Sequence, residues 1–245
     1  VGRVSGILLI DVGNHSVKAA LVDSDRFLKR WTFSAEGVGR RLSDLLTETG
    51  TLGIAYSSVV PEWTAALRDL PAMRGIKVVE AGPNSNLPFV LSVDEPEKVG
   101  SDRICAAVGA WRSGAREAVI VDFGTAVTVD TLSGGAFLGG SIFPGLRILA
   151  MALHEGTASL PLVTGEDAPV SPPGGNTGDA VKAGIWWGII GAVNELVSRS
   201  LPDGGTVWVT GGAAELMAPY LERNPVIDRD LVLKGLLELF LRTVG

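Results

Sequence analysis

Two short stretches of this chain carry the same arrangement of reactive groups. Asp11, Gly13 and Asn14 follow the apolar run Ile7 to Ile10, and Asp122, Gly124 and Thr125 follow the run Ala118 to Val121. A carboxylate at the end of a strand can hold a hydrated Mg²⁺, and the glycine beside it lets backbone N–H groups come close to an anion. Gly-Asn is also ordinary hairpin chemistry, and one copy alone reads as a hairpin. The second copy changes that reading. ILLIDVGN aligns with AVIVDFGT without a gap, at an offset of 111 residues, and two equivalent turns facing one another suit an extended polyphosphate.

Two further places have the residue types for chemistry. Asp102 and Arg103 follow Gly100 where a loop enters a helix: the pair is either a helix cap with a solvated neighbour, or a general base beside an anion-binding guanidinium. Thr210 ends the run TVWVT, and with Gly211 and Gly212 it opens a helix whose first N–H groups either bind an anion or only shape the turn. Gly139, Gly140, Pro144 and Gly145 are equally ambiguous. No G-x-x-x-x-G-K-[ST] occurs, and no strand-linked G-x-G-x-x-G, so phosphate binding must use the Asp-x-Gly turns.

The elements that position these residues follow from hydrophobic period. Ile7–Ile10, Val17–Val22 and Phe27–Phe33 predict three antiparallel strands. Val38, Leu42, Leu45 and Leu46 then fall on one helical face. A strand (Leu52–Val60), a helix opened by Pro61, a strand (Ile76–Val79), a Pro- and Gly-rich connection (Ala81–Val99) and a helix (Ser101–Trp111) follow. The second half repeats the theme: runs at Ala118–Val121, Ala126–Leu132 and Ala136–Phe143, a helix after Pro144 and Gly145, a loop at Asp167–Gly178, a long apolar helix at Asp179–Ser200, a strand at Thr206–Thr210 and two closing helices. This duplication predicts an α/β protein of two similar domains, 1–112 and 113–245, around a cleft.

Composition narrows the classes. Among 245 residues, 46% are hydrophobic and 20% charged, the balance of a globular protein. With 21 basic against 27 acidic side chains the net charge is −6, which argues against nucleic acid or an anionic membrane as partner. The lone Cys105 allows no intrachain disulfide, and with His15 and His154 it offers too few ligands for a structural zinc site. The first apolar run meets Asp11 too early for a signal peptide or a span, and Gly184–Val193 is shorter than the roughly 20 residues a bilayer requires. The expected setting is the cytoplasm.

Taken in order, DVGNHSVK, GSDR, DFGTAVTVD, GGSIFPG, NTGDAVKAG, TGG and LVLKGL resemble the signature series of type III pantothenate kinases, from Asp11 to Leu236. That resemblance implies the duplicated actin-like ATPase fold of the acetate and sugar kinase, Hsc70 and actin superfamily. It implies ATP-dependent phosphorylation of pantothenate, the first step toward coenzyme A, by a homodimer. In its terms Asp11, Gly13, Asn14, His15, Ser16 and Lys18 bind ATP phosphates, with Asp11 near Mg²⁺ through water. Thr125, Gly211 and Gly212 contact ATP. Gly100, Ser101, Asp102, Arg103 and Thr177 bind pantothenate, Asp102 being the proton acceptor and Arg103 the partner of the substrate carboxylate. Asp122 holds K⁺ or NH₄⁺.

Three positions depart from the family pattern. His15 stands where a hydroxyl residue is usual, Ser101 replaces the Ala of G-A-D-R, and Val93 stands where many members have Tyr. The helix with Trp186, Trp187, Ile189 and Ile190 reads either as the contact with a second subunit or as a buried helix of its own domain. The rival function is a non-catalytic transcriptional accessory protein on the same scaffold, for which keeping Asp11, Asp102 and Asp122 together would serve no purpose.

Overall fold

The computed structural model describes residues 5–34, 36, 38–69, 75–164 and 169–245; the start of the loop expected at Asp167 lies outside them. Among the described residues the chain forms two compact units, residues 1–114 with 230–245, and residues 115–229.

The first unit opens with β1 (Ser5–Val12), β2 (Ser16–Asp23) and β3 (Arg26–Ser34), followed by α1 (Val38–Glu48), β4 (Gly50–Ser58), α2 (Pro61–Asp69), β5 (Lys77–Glu80), the two-residue β6 (Val90–Leu91) and α3 (Ser101–Arg112). The main sheet has the order β3-β2-β1-β4-β5. β1 and β2 run antiparallel, as do β2 and β3, whereas β1 pairs parallel with β4, and β4 with β5. β1 is central and covered on both faces, which is why it reads as an unbroken apolar run. Leu8, Ile10 and Val12 join Leu42, Leu45, Ile54, Tyr56 and Leu67 in one core. The Tyr56 hydroxyl donates to Glu80 Oε2 at 2.8 Å, and Arg68 grips the same carboxylate at 2.9 and 2.7 Å, tying β4, α2 and β5 together.

The second unit repeats this plan with β7 (Ala118–Phe123), β8 (Ala126–Ser133), β9 (Ala136–Pro144), α4 (Leu146–Gly156), α5 (Thr177–Ser200), β10 (Thr206–Thr210), the one-turn α6 (Ala214–Met217) and β11 (Val226–Ile227). Within the unit the strand order is β9-β8-β7-β10-β11. β7 takes the place of β1 and β10 that of β4, with the same parallel and antiparallel pairings. The internal repeat read from the sequence is therefore a repeat of topology.

Two expectations are corrected. The last helix, α7 (Leu231–Val244), belongs to the first unit and not to a domain running from 113 to the end. The reason is its fit to α3: a Cβ placed on Gly235 would stand 1.9 Å from the Cys105 carbonyl oxygen, and one on Gly109 would stand 2.0 Å from that of Leu231. The two helix backbones touch directly. Phe240 in turn lies against Gly53 of β4, where a Cβ would meet its ring at 2.2 Å. The second correction concerns the two closing helices, of which the first is a single turn, α6, followed by the short strand β11.

The long helix α5 is an intradomain element. Trp186, Ile189 and Ile190 are buried with Val119, Val121, Val207 and Val209 in the core of the second unit, and Trp187 packs against it. Both tryptophans pack edge-to-face with Tyr220. No described helix is long and apolar enough to cross a membrane.

Candidate active site

In the first unit the sheet end and the start of α3 bring two carboxylates together. Asp11 is the next-to-last residue of β1 and stands in register with Lys18 on β2 and Ser57 on β4. Ser57 donates its hydroxyl to Asp11 Oδ1 at 2.6 Å. Burial pushes the Asp11 carboxyl up to about 6; the Ser57 hydrogen bond and the Lys18 charge oppose that rise, and the negative charge of Asp102 adds to it.

Asp102 lies in the first turn of α3, whose N-cap is Gly100 with no side-chain cap. Asp102 is therefore not the helix cap that its place in the sequence allows. Its Oδ1 accepts the Arg103 amide at 2.8 Å, and a Cβ on Gly100 would stand 2.6 Å from that oxygen. Glycine at 100 makes room for the carboxylate. Ser101 anchors the entry to α3 by donating to the Ser58 carbonyl at 3.3 Å.

The Asp11 turn is a tight hairpin. Gly13 donates its N–H to the Ser16 carbonyl at 3.0 Å, so this amide closes the turn and is not open to a phosphate. Asn14, His15 and Ser16 are exposed at its tip.

In the second unit Asp122 holds the equivalent place, next to last in β7 and in register with Thr210 on β10. Gly211 is bent to φ +100°, and a Cβ there would stand 2.4 Å from Asp122 Oδ1; one on Gly124 would stand 3.2 Å away. Gly145 closes on this turn, donating its N–H to the Thr125 carbonyl at 3.0 Å. The carboxylate thus sits in a cradle that side chains on either glycine would fill. α6 offers little to an anion, because Ala213 and Ala214 give their N–H groups to the carbonyls of Phe123 and Gly211.

A family model described as type III pantothenate kinase matches residues 7–199. The chain belongs to the type III pantothenate kinase family. A type III pantothenate kinase of Rubrobacter xylanophilus is 32% identical, covering 96% of this chain and 97% of its own length. One of Geotalea uraniireducens is 34% identical over 96% of this chain and 98% of its own. Among solved structures, a conserved putative Baf family transcriptional activator from Campylobacter jejuni superposes with a TM-score of 0.66 at 22% identity, covering 96% and 98% of the two chains. A putative 2-dehydro-3-deoxygalactonokinase from Sinorhizobium meliloti gives 0.64 at 15% identity, covering 97% and 96%. These two likenesses show the fold, the α/β architecture that sugar kinases and actin-like ATPases share.

Against the family's pattern, Asp11, Lys18 and Asp102 are gathered in the first unit, while Asp122, Thr125 and Gly211 are gathered in the second. Gly212 is exposed, with nothing within 4 Å of the place a Cβ would take. Thr177 is exposed at the start of α5, beside the cap in which Asn176 accepts the Asp179 amide at 2.9 Å. Sequence reasoning missed Ser57. The signal was present, a hydroxyl residue ending an apolar run as Thr210 does, but its neighbour lies 46 positions away in the chain.

The Asp11 shift has a thermodynamic consequence. The folded carboxyl keeps its proton up to about pH 6, whereas an unfolded one releases it near 3.8. Between these values the folded state binds more protons, so its stability falls as pH rises through the window. In ligand-free protein, Asp11→Asn should therefore melt a few degrees above wild type at pH 7–8, on the order of 1–3 kcal/mol. The difference should shrink towards pH 4. A variant that melts at or below wild type at pH 8 contradicts a strained, buried charge at this position.

Proposed function

We propose that the chain phosphorylates the terminal hydroxyl of pantothenate with ATP, as the first step toward coenzyme A. The observation that carries this reading is the pair of carboxylates Asp11 and Asp102, one at a strand end and one at a helix start, in a chain of this family. Two acidic groups this close destabilise each other's charge, and a divalent cation near Asp11 relieves that cost. Among the described residues no group of three or more His, Cys, Asp or Glu side chains stands ready to hold a metal. The carboxylate of Asp11 would suit Mg²⁺, a hard cation that keeps most of its waters and takes phosphate oxygens as further ligands. When bound with ATP, Mg²⁺ neutralises charge on the phosphates.

The protein's own groups do the rest. Lys18 and the turn from Asn14 to Ser16 attract the phosphates, while Thr125 with Gly211 and Gly212 contacts the nucleotide. Arg103 pairs with the pantothenate carboxylate, Ser101 and Thr177 add contacts, and Asp102 accepts the hydroxyl proton as the oxygen attacks the γ-phosphorus. Holding the reactants in line supplies much of the rate. ADP release measured with and without pantothenate tests the reading: turnover should require both substrates. ATP hydrolysis indifferent to pantothenate would overturn it.

The glycine cradle leaves room at Asp122 for a monovalent cation such as K⁺ or NH₄⁺. Replacing K⁺ by Na⁺ should then slow the reaction severalfold, and Asp122→Ala should abolish that ion dependence. Equal rates in the two salts, with an active Asp122→Ala, would remove the cation from the mechanism. The enzyme is expected to work as a cytoplasmic homodimer. Because the apolar side of α5 is buried within its own unit, Trp186, Ile189 and Ile190 are not the groups that meet the second subunit.

A further inference from the structure

We propose that Ser57 is a positioning residue for catalysis, its hydroxyl holding the Asp11 carboxylate in the orientation in which it serves the nucleotide's cation. The inference rests on the reading of Asp11 given above and extends it to a residue outside the motif that carries Asp11.

Three observations support it. First, the contact is short and its donor is buried: Ser57 Oγ to Asp11 Oδ1 is 2.6 Å, and Ser57 is 0% exposed. Hydroxyl-to-carboxylate bonds in this range are charge-assisted and about twice as strong as neutral ones. With Oδ1 engaged, Oδ2 is the oxygen left for an outside partner. Second, β4 is otherwise apolar through its buried stretch: Ile54 and Ala55 precede Tyr56, whose only polar atom is bonded to Glu80. A buried serine at the end of such a strand costs stability unless its proton is used, and it is used on Asp11.

Third, the repeat places a hydroxyl at the same point of the other sheet. Thr210 on β10 stands in register with Asp122 as Ser57 on β4 stands with Asp11. Thr210 is also buried, and among the described residues its Oγ1 has no hydrogen-bond partner. Both copies of the fold thus set a buried hydroxyl beside the strand-end aspartate. The second copy further shows that this ladder position accepts a γ-methyl group, which makes threonine a suitable conservative replacement at 57.

The test uses Ser57→Ala, the isosteric pair Ser57→Thr and Ser57→Val, and Asp11→Asn, each checked for folding by its melting transition. Mn²⁺ serves as the probe cation, and its binding to the enzyme–ADP complex is followed by electron paramagnetic resonance beside steady-state kinetics. Ser57→Ala and Ser57→Val should weaken Mn²⁺ binding and lower kcat roughly ten- to a hundredfold, the range for losing a hydrogen bond to a charged group. KM for pantothenate should stay within about twofold, and Ser57→Thr should remain near wild type. In an Asp11→Asn background Ser57→Ala should add little, because the two act as one unit.

Equal behaviour of Ser57→Thr and Ser57→Val overturns the inference, even if Ser57→Ala fails to fold. So does normal Mn²⁺ binding in Ser57→Ala when Asp11→Asn is impaired, and in that case the reading of Asp11 stands. Wild-type Mn²⁺ binding and kcat in Asp11→Asn would overturn the reading of Asp11 and the inference with it.

Discussion

Asp102→Asn should lower kcat by roughly 10²- to 10⁴-fold, the range for removing a general base, while KM for ATP changes little. The substitution is nearly isosteric. Its side-chain oxygen can still accept the Arg103 amide that Asp102 Oδ1 accepts at 2.8 Å, and α3 needs nothing from this side chain as a cap, since Gly100 holds that position. The fold is therefore preserved and the base alone is lost. A second readout follows from the Asp11 environment. Asp102 is one of the charges that raise the Asp11 carboxyl, so the neutral variant should shift the Asp11 titration downward. A kcat within about threefold of wild type would exclude Asp102 as proton acceptor.

Gly235→Ala should be the most damaging small substitution away from the reacting groups. Its new Cβ would fall 1.9 Å from the Cys105 carbonyl oxygen and 2.6 Å from the carbonyl carbon, both backbone atoms that cannot rotate away. Relief requires α7 and α3 to separate, which opens the packing of Ile104 and Cys105 on one helix and Leu231, Leu236 and Phe240 on the other. Overpacking of this kind costs about 1–3 kcal/mol and more where backbone must move. For a chain of this size that corresponds to a melting temperature lower by roughly 2–12 °C, at the upper end where the backbone must move. Gly109→Ala should behave alike, since its Cβ would meet the Leu231 carbonyl. Gly156→Ala, with nothing within 4 Å, is the control and should melt within about 2 °C of wild type. Because α3 carries Asp102, Gly235→Ala should also lower kcat in the protein that remains folded. An unchanged melting transition would contradict the direct backbone contact.

Much of the architecture was legible because it depends on local pattern. The runs ending at Asp11 and Asp122 are central strands covered on both faces, and a strand in that setting must be apolar along its length. The turns after them reverse the chain within two or three residues, and Gly13 and Gly124 mark them in the sequence. Repeating both features 111 positions apart made the duplication visible, and the shared order β3-β2-β1-β4-β5 and β9-β8-β7-β10-β11 is its structural form. Asp11 and Asp122 drew attention for the same reason, since each stands next to last in such a strand, beside its turn.

What the tertiary structure decided is which surfaces meet. The apolar face of α7 requires burial but does not name its partner; the bare backbones at Gly109 and Gly235 choose α3, and so carry the end of the chain back to the first unit. The apolar side of α5 could have served a second subunit or its own sheet, and the core around Val119 and Val209 takes it. Gly13 seemed free to bind phosphate until the hairpin claimed its amide. Ser57 was one hydroxyl among many until the parallel register of β1 and β4 set it against Asp11. Composition and period govern what a segment does with water and with its own backbone, which are short-range matters read residue by residue. Pairing between strands and helices far apart in the chain depends on shape and register across the folded units, and only the folded chain contains it.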